Sequence, residues 1–260
     1  MTMETAINKT EQALFSTVLS LADSTLILSH RLSEWCGHGP IIEQDIAMSN
    51  IALDLIGEAR NFYDYAAKLE GAGKTEDDYA YFRESKEYKN ALLCEQLNGD
   101  FAHTVVRQFF FDSWHIHFLD ALRNSPDTTL AAIAEKSFME VSYHIKWSSE
   151  WVIRLGDGTE KSKQKMETAL KAFWPFSGEL LEATEDEKIL VAAGILPDFE
   201  QLKVLWLEQV TSVLTRATLE VPVTKNTAQT GGKTGRHSEY LSYLLAEMQS
   251  VQRTYPGLKW

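Results

Sequence analysis

Acidic and histidine side chains recur near the middle of apolar helical stretches in this sequence of 260 residues. Together with one amide, Asn61, the residues that could do chemistry are Asp23, Asp54, Glu58, Asp112, His115, Glu140 and His144. Carboxylates and imidazoles are common ligands of iron, and a carboxylate that is buried without a partner is strongly destabilising. These residues are therefore expected either to bind a metal ion or to pair with one another.

The stretch 41–69, IIEQDIAMSNIALDLIGEARNFYDYAAKL, is the clearest element that could position them. Its apolar residues recur in steps of three and four, which predicts one long helix between Pro40 and Gly71. The segment 51–56 is apolar on nearly every side, which indicates a helix inside a bundle. A neighbouring stripe of the same helix carries Asp54, Glu58 and Asn61, with apolar residues before and after them.

Three more long helices are predicted, at about 10–36, 100–124 and 130–156, with one or two short helices within 75–99. Later segments predict a helix at 166–174 interrupted by Pro175, helices at about 198–219 and 238–254, and a non-helical linker at 221–235. No alternating stretch is long enough for a sheet. The predicted fold is all-α, a single domain with a long-helix bundle over 10–156 and additional helices over 159–254.

An acid near the middle of each long helix is typical of a ferritin-like di-iron bundle, in which two helices supply Glu and two supply Glu-x-x-His. This sequence departs from that pattern at Glu58-x-x-Asn61, at Glu140-x-x-Tyr143 with His144 one residue late, and at Asp112-x-x-His115. A histidine one residue late points about 100° away from the i+3 direction. The missing ligands favour a vestigial site with structural pairs, such as Glu140 with His144.

A di-iron or di-manganese oxygenase in its own right stays open as the alternative. Its ligands would be drawn from the set Asp23, Glu58, Asp112, Glu140 and one of His115 and His144.

The overall composition limits the classes of function. A net charge of -12 argues against a nucleic-acid partner, which needs a basic face. The apolar run after Leu14 is broken by polar residues and Asp23, and the opening ten residues are polar, so we expect neither a signal segment nor a membrane span. With only Cys36 and Cys94 no disulfide framework is expected. A cytoplasmic protein is the expectation.

Gly232-Lys233-Thr234 matches the second half of a phosphate-binding loop. The position of the first glycine is Thr227, and no buried strand precedes it, so an ATP site is not expected. Its surroundings hold the basic residues Lys225, Lys233, Arg236 and His237. A turn or a contact between subunits is the predicted use of this loop.

Several motifs in order resemble one known family. They are SEWCGHGP at 33–40, NIALDLIGEARNF at 50–62, EQLNGDFA at 95–102, DSWH at 112–115 and TGGKTGRHSEYLSYLLAEMQSVQR at 230–253. The sequence resembles the structural, PaaC-type subunits of bacterial phenylacetyl-CoA epoxidase over almost its whole length. Leu97 is one departure, where the family pattern has Pro.

The resemblance implies a ferritin-like fold, no catalytic residues and no cofactor in this chain. It also implies a complex with a related catalytic subunit that holds a di-iron centre and epoxidises the ring of phenylacetyl-CoA in aerobic phenylacetate breakdown. The small subunits and the reductase of that complex, and a second copy of this chain, are further candidate partners.

Overall fold

The computed structural model describes residues 3–223 and 228–258, which form eleven α-helices and, within those ranges, no strand. In chain order they are α1 (Met3–Ser33), α2 (Ile42–Glu70), α3 (Glu76–Tyr81), α4 (Leu92–Glu95), α5 (Phe101–Leu122), α6 (Thr128–Gly156), α7 (Glu160–Ser177), α8 (Glu185–Ala192), α9 (Phe199–Arg216), α10 (Glu239–Met248) and α11 (Ser250–Thr254). Short 3₁₀ turns lie at Ser85–Glu87, Gly178–Leu181 and Gly232–Thr234. The all-α prediction is confirmed.

Four long helices form the central bundle. Helix α1 packs along α2, α5 packs along α6, and α2 meets α6 across the centre. The later helices α7 and α9 pack on α5 and α6, while α8 packs on α1. One continuous set of buried apolar side chains joins these elements. Whether the chain is one domain, as the sequence predicts, stays a prediction.

Local sequence signals set the ends of the long helices. Gly71 follows α2 with φ of 66°, a left-handed conformation that glycine adopts without steric cost. The carboxylate of Asp100 accepts from the backbone N–H of His103 at 3.2 Å and begins α5. Asp127 caps α6 in the same way, accepting from the N–H groups of Thr129 and Leu130. Four long helices were predicted, three of them near these bounds, whereas α1 begins at Met3 and not near Thr10.

The later part of the chain differs from the prediction in three places. Helix α7 continues through Pro175 to Ser177, because the proline lies in the last turn and disturbs few backbone hydrogen bonds. Helix α8 was not predicted. The predicted final helix is divided at Gln249 into α10 and α11. Of the predicted linker, residues 224–227 lie outside the described residues.

Helix α2 is only partly buried, which corrects the prediction of a helix enclosed on every side. Its inner seam is buried as predicted, including Met48, Leu55 and Phe62. Leu53 and Ile56 on the opposite side are exposed. The exposed face of α2 therefore also carries apolar side chains, set among exposed polar residues such as Asn50 and Arg60.

Helix α1 contains a segment, Lys9–Ser33, that is long and apolar enough to cross a membrane by length and composition. That corrects the expectation that polar residues break the run too early. In the structure 83% of its most apolar window is buried inside the bundle. A core helix of a globular protein passes the same test, because burial in protein and burial in lipid select similar side chains.

Candidate functional site

Glu58 and His115 form a buried pair at the bundle centre. Nε2 of His115 on α5 lies 2.8 Å from Oε1 of Glu58 on α2, and both side chains are almost fully buried. The rings of Phe111 and Trp114 pack against the imidazole. The pair joins two helices of the bundle and engages Nε2, one of the two ring nitrogens of His115.

Asp54 and His144 form a second pair between α2 and α6. Nε2 of His144 lies 3.0 Å from Oδ2 of Asp54, with the ring buried and the carboxylate about one-third exposed. The predicted pairing of Glu140 with His144 is therefore wrong. The ring of His144 reaches across to the facing helix, whereas Glu140 lies half-buried beside Asp54. Burial, together with the charges of Asp54 and Glu58, raises the pKa of Glu140.

Asp112 is fully buried on α5 and bonds to neutral side chains. Its Oδ1 accepts from Nε2 of Gln108 at 2.6 Å, and its Oδ2 accepts from the hydroxyl of Ser148 at 2.7 Å. Burial raises its pKa to about 6, although these hydrogen bonds and the nearby rings of His144 and His115 act in the opposite direction. Asp112 therefore lies in the same cluster as both histidines.

Asp23 belongs to a different cluster, on the side of α1 that faces the segment 83–89. Its carboxylate forms a two-pronged ion pair with Arg83 and accepts from the hydroxyl of Tyr63 at 2.5 Å and from the backbone N–H of Lys89 at 2.7 Å. The guanidinium also lies over the ring of Tyr88, 4.3 Å from its centroid. A role for Asp23 beside Glu58 and Asp112 is thus not supported.

These residues do not fit a di-iron centre. The Nε2 atoms of His115 and His144 are each engaged by a carboxylate, so neither is free to bind a metal ion. Asn61, in the position of an expected histidine, is half-buried on α2. Within residues 3–223 and 228–258, no three His, Cys, Asp or Glu side chains are arranged to hold one metal ion. The described residues, as placed, therefore provide no ligand set for a di-iron centre.

A second buried polar centre, which the sequence analysis missed, surrounds Glu95. Its carboxylate accepts from Nδ2 of Asn90 at 2.9 Å, from Nδ1 of His237 at 2.8 Å and from the backbone N–H of Ser238 at 2.6 Å. Nε2 of His237 lies 2.8 Å from the carbonyl oxygen of Tyr88. Since both ring nitrogens face acceptors, the charged imidazolium is favoured, and these bonds raise the pKa of His237.

The glycine-rich loop encloses another carboxylate, that of buried Glu179. Its Oε1 accepts from the backbone N–H groups of Gly231 at 2.7 Å and Lys233 at 3.3 Å, and its Oε2 accepts from that of Leu92 at 2.7 Å. Nζ of Lys233 pairs with Glu187 at 2.7 Å, with both side chains buried. Three of the four predicted basic residues lie within the described range; Lys225 lies outside it. The predicted turn is confirmed.

Fold and core together define a class: an all-α bundle whose central acids are engaged by side chains of the same chain. Residues 1–260 match the model of the family described as phenylacetic acid catabolic protein, and the chain belongs to that family. Its bundle is accordingly of the ferritin-like type.

A comparison with curated proteins finds a close relative. The chain is 46% identical over 242 residues to the C subunit of 1,2-phenylacetyl-CoA epoxidase from Escherichia coli (strain K12). The similar region covers 93% of this chain and 97% of the relative. That relative is one subunit of an epoxidase, which indicates that this chain also works together with other subunits.

Proposed function

We propose that this chain is a non-catalytic structural subunit of a phenylacetyl-CoA epoxidase. It supports a related di-iron subunit that epoxidises the aromatic ring in phenylacetate breakdown, and it works in the cytoplasm. It needs neither a membrane nor a nucleic acid for that role. The similarity to the Escherichia coli protein supports the reaction and the pathway.

The engagement of the central acids carries the non-catalytic part of the proposal. Glu58, Asp54 and Asp112 already bond to His115, His144 and a Gln108–Ser148 pair. Opening any of these contacts to coordinate iron would leave a buried polar group without a partner, which is costly. The bundle therefore favours internal pairing over metal binding.

Metal analysis of the separated chains of a co-expressed complex tests this proposal. We expect about two irons per catalytic subunit and well under one per copy of this chain. The chain alone should not turn over phenylacetyl-CoA. Two irons per copy of this chain, or epoxidation without a partner, would instead support the alternative of an independent di-iron oxygenase.

A further inference from the structure

Helix α2 presents an apolar row to solvent on the side away from its buried seam. Its exposed members are Ile42, Ile46, Leu53 and Ile56. Their spacing of four, seven and three residues follows the helical seam period, so they form one stripe along the first half of the helix, interrupted by exposed Asn50. Leaving such a stripe in water is unfavourable, and contiguous exposed apolar surface commonly marks an interface.

Helix α6, which packs beside α2, carries two further exposed apolar side chains. Met139 and Tyr143 are exposed. The hydrogen bond between Asp54 and His144 holds α2 and α6 together at that level, and Leu53 and Tyr143 are their neighbours in sequence. We name the exposed residues Ile42, Ile46, Leu53, Ile56, Met139 and Tyr143 the α2/α6 surface.

Gly57 adds an independent observation on the same helix. Glycine inside a helix is destabilising relative to alanine. A Cβ atom added at Gly57 would meet no heavy atom within 4 Å, so packing inside this chain does not require the glycine. A closely approaching backbone from another molecule would explain it.

The acids beside the surface indicate which kind of molecule approaches. Asp54 is about one-third exposed and Glu140 is half-buried next to it. In a twofold dimer the same patch of both copies meets, which would bring two copies of this acidic pair, each with one Lys136 nearby, close together in a chain of net charge -12. A different helical subunit with a Lys or Arg at this level would complement them.

We propose that the α2/α6 surface binds the partner subunit of the complex, through an apolar helical row with a basic side chain facing Asp54 and Glu140. This inference rests on the proposed function. Helices pack with interaxial distances of about 8–10 Å, and the shortest distances need small residues at the crossing. Gly57 is suited to that point.

Paired lysine substitutions test the surface. Leu53 and Ile56 are three residues apart and 64% and 37% exposed, while Val204 and Leu207 on α9 are three residues apart and 55% and 39% exposed. The L53K/I56K variant should bind the co-expressed catalytic subunit roughly 100-fold more weakly, and V204K/L207K should bind as the wild type does. Thermal unfolding of each chain alone should stay close to that of the wild type, because Leu53 and Val204 are mostly exposed and a lysine at position 56 or 207 can extend its ammonium group to water.

Gly57→Ala keeps the test decisive if lysine perturbs the fold, because alanine favours the helix. It should raise the thermal midpoint of the free chain yet weaken capture of the catalytic subunit several-fold.

Equal capture by wild type, L53K/I56K and Gly57→Ala would overturn the proposal that this surface binds the catalytic subunit. A wild-type chain that does not bind the catalytic subunit at all would instead contradict the proposed function. A wild-type dimer in gel filtration that L53K/I56K converts to monomer would assign the surface to a second copy and overturn the choice of partner.

Discussion

The buried acids of this bundle differ in the groups that bond to their carboxylates. Glu58 faces an imidazole, Asp23 faces a guanidinium, and Asp112 has only an amide and a hydroxyl. A buried ionised group needs an opposite charge or several donors, so Asp112 is the least well compensated of the three. The substitutions of Glu58 and of Asp112 should therefore have opposite effects on stability.

Replacing Glu58 should be strongly destabilising. Glu58→Leu leaves the buried ring of His115 without its partner and should cost about 3 kcal/mol or more in the free energy of unfolding. The double variant with His115→Leu should cost less than the sum of the single changes, as urea denaturation of all four proteins would measure. Glu140→Leu is the control, with an expected cost below about 1 kcal/mol. Additive losses would contradict a Glu58–His115 pair.

Asp112→Asn should stabilise the chain at neutral pH. The folded pKa of Asp112 is about 6 against an ordinary value of 3.8, so folding takes up a proton between these values. The contribution of Asp112 to stability consequently falls as pH rises through that window, and its charged form is unfavourable above it. We expect a gain of about 1–3 kcal/mol at pH 7.5 that largely disappears at pH 4, measured by urea denaturation. A gain independent of pH would contradict the role of ionisation.

Buried carboxylates join one loop to two segments that are far from it in sequence. The loop at 231–238 closes over Glu179 and Glu95, which come from the turn after α7 and from α4. The N–H groups of its GGK sequence bind a carboxylate of the same chain, as a phosphate-binding loop binds a phosphate. The motif therefore has a structural use that needs no nucleotide.

Gly232→Ala should disrupt this loop. A Cβ atom there would clash with the carbonyl oxygen of Asn90 and lie 2.9 Å from the backbone N of Leu92. Both neighbours are backbone atoms, so we expect a loss of about 3 kcal/mol or more and a clear drop in the thermal midpoint. Gly178→Ala is a matched control, since its Cβ would meet only the side chain of Ala228 at 3.5 Å. Similar midpoints for the two variants would contradict the described packing.

His237 should make the anchoring of the loop dependent on pH. Its folded pKa is raised above 6.5 by Glu95 and the Tyr88 carbonyl, so its contribution is fully present below about pH 6.5 and is lost as pH rises through the raised value. His237→Gln should remove that part of the pH dependence. Thermal midpoints of both proteins from pH 6 to 9 would show curves that converge at high pH. A constant difference across the range would contradict the linkage.

Local sequence signals were sufficient for the long helices but not for the pairing of their side chains. Gly71 and Asp100 act within one or two turns, so their effects can be recognised without tertiary structure. The partner of His144 depends on how α2 lies against α6, which spacing along α6 cannot give. Glu95 was missed because its partner His237 is 142 residues away.

In the molecule as a whole, the central acids have hydrogen-bond partners, whereas part of the apolar surface is exposed to solvent. The central carboxylates have partners within the chain, whereas the α2/α6 surface is open. Interfaces of permanent complexes are rich in apolar surface at their centre. That distribution fits a subunit that contributes to a complex through its exposed surface.

A bound partner should therefore stabilise this chain. At a partner concentration of 100 times Kd, binding to the folded state alone adds about 2.7 kcal/mol, or roughly 5 °C or more in the thermal midpoint. Thermal unfolding of a fluorescently labelled chain titrated with the catalytic subunit would measure the shift. V204K/L207K should show the wild-type shift, and L53K/I56K should show little of it. Full stabilisation of L53K/I56K would mean that the partner binds away from Leu53 and Ile56.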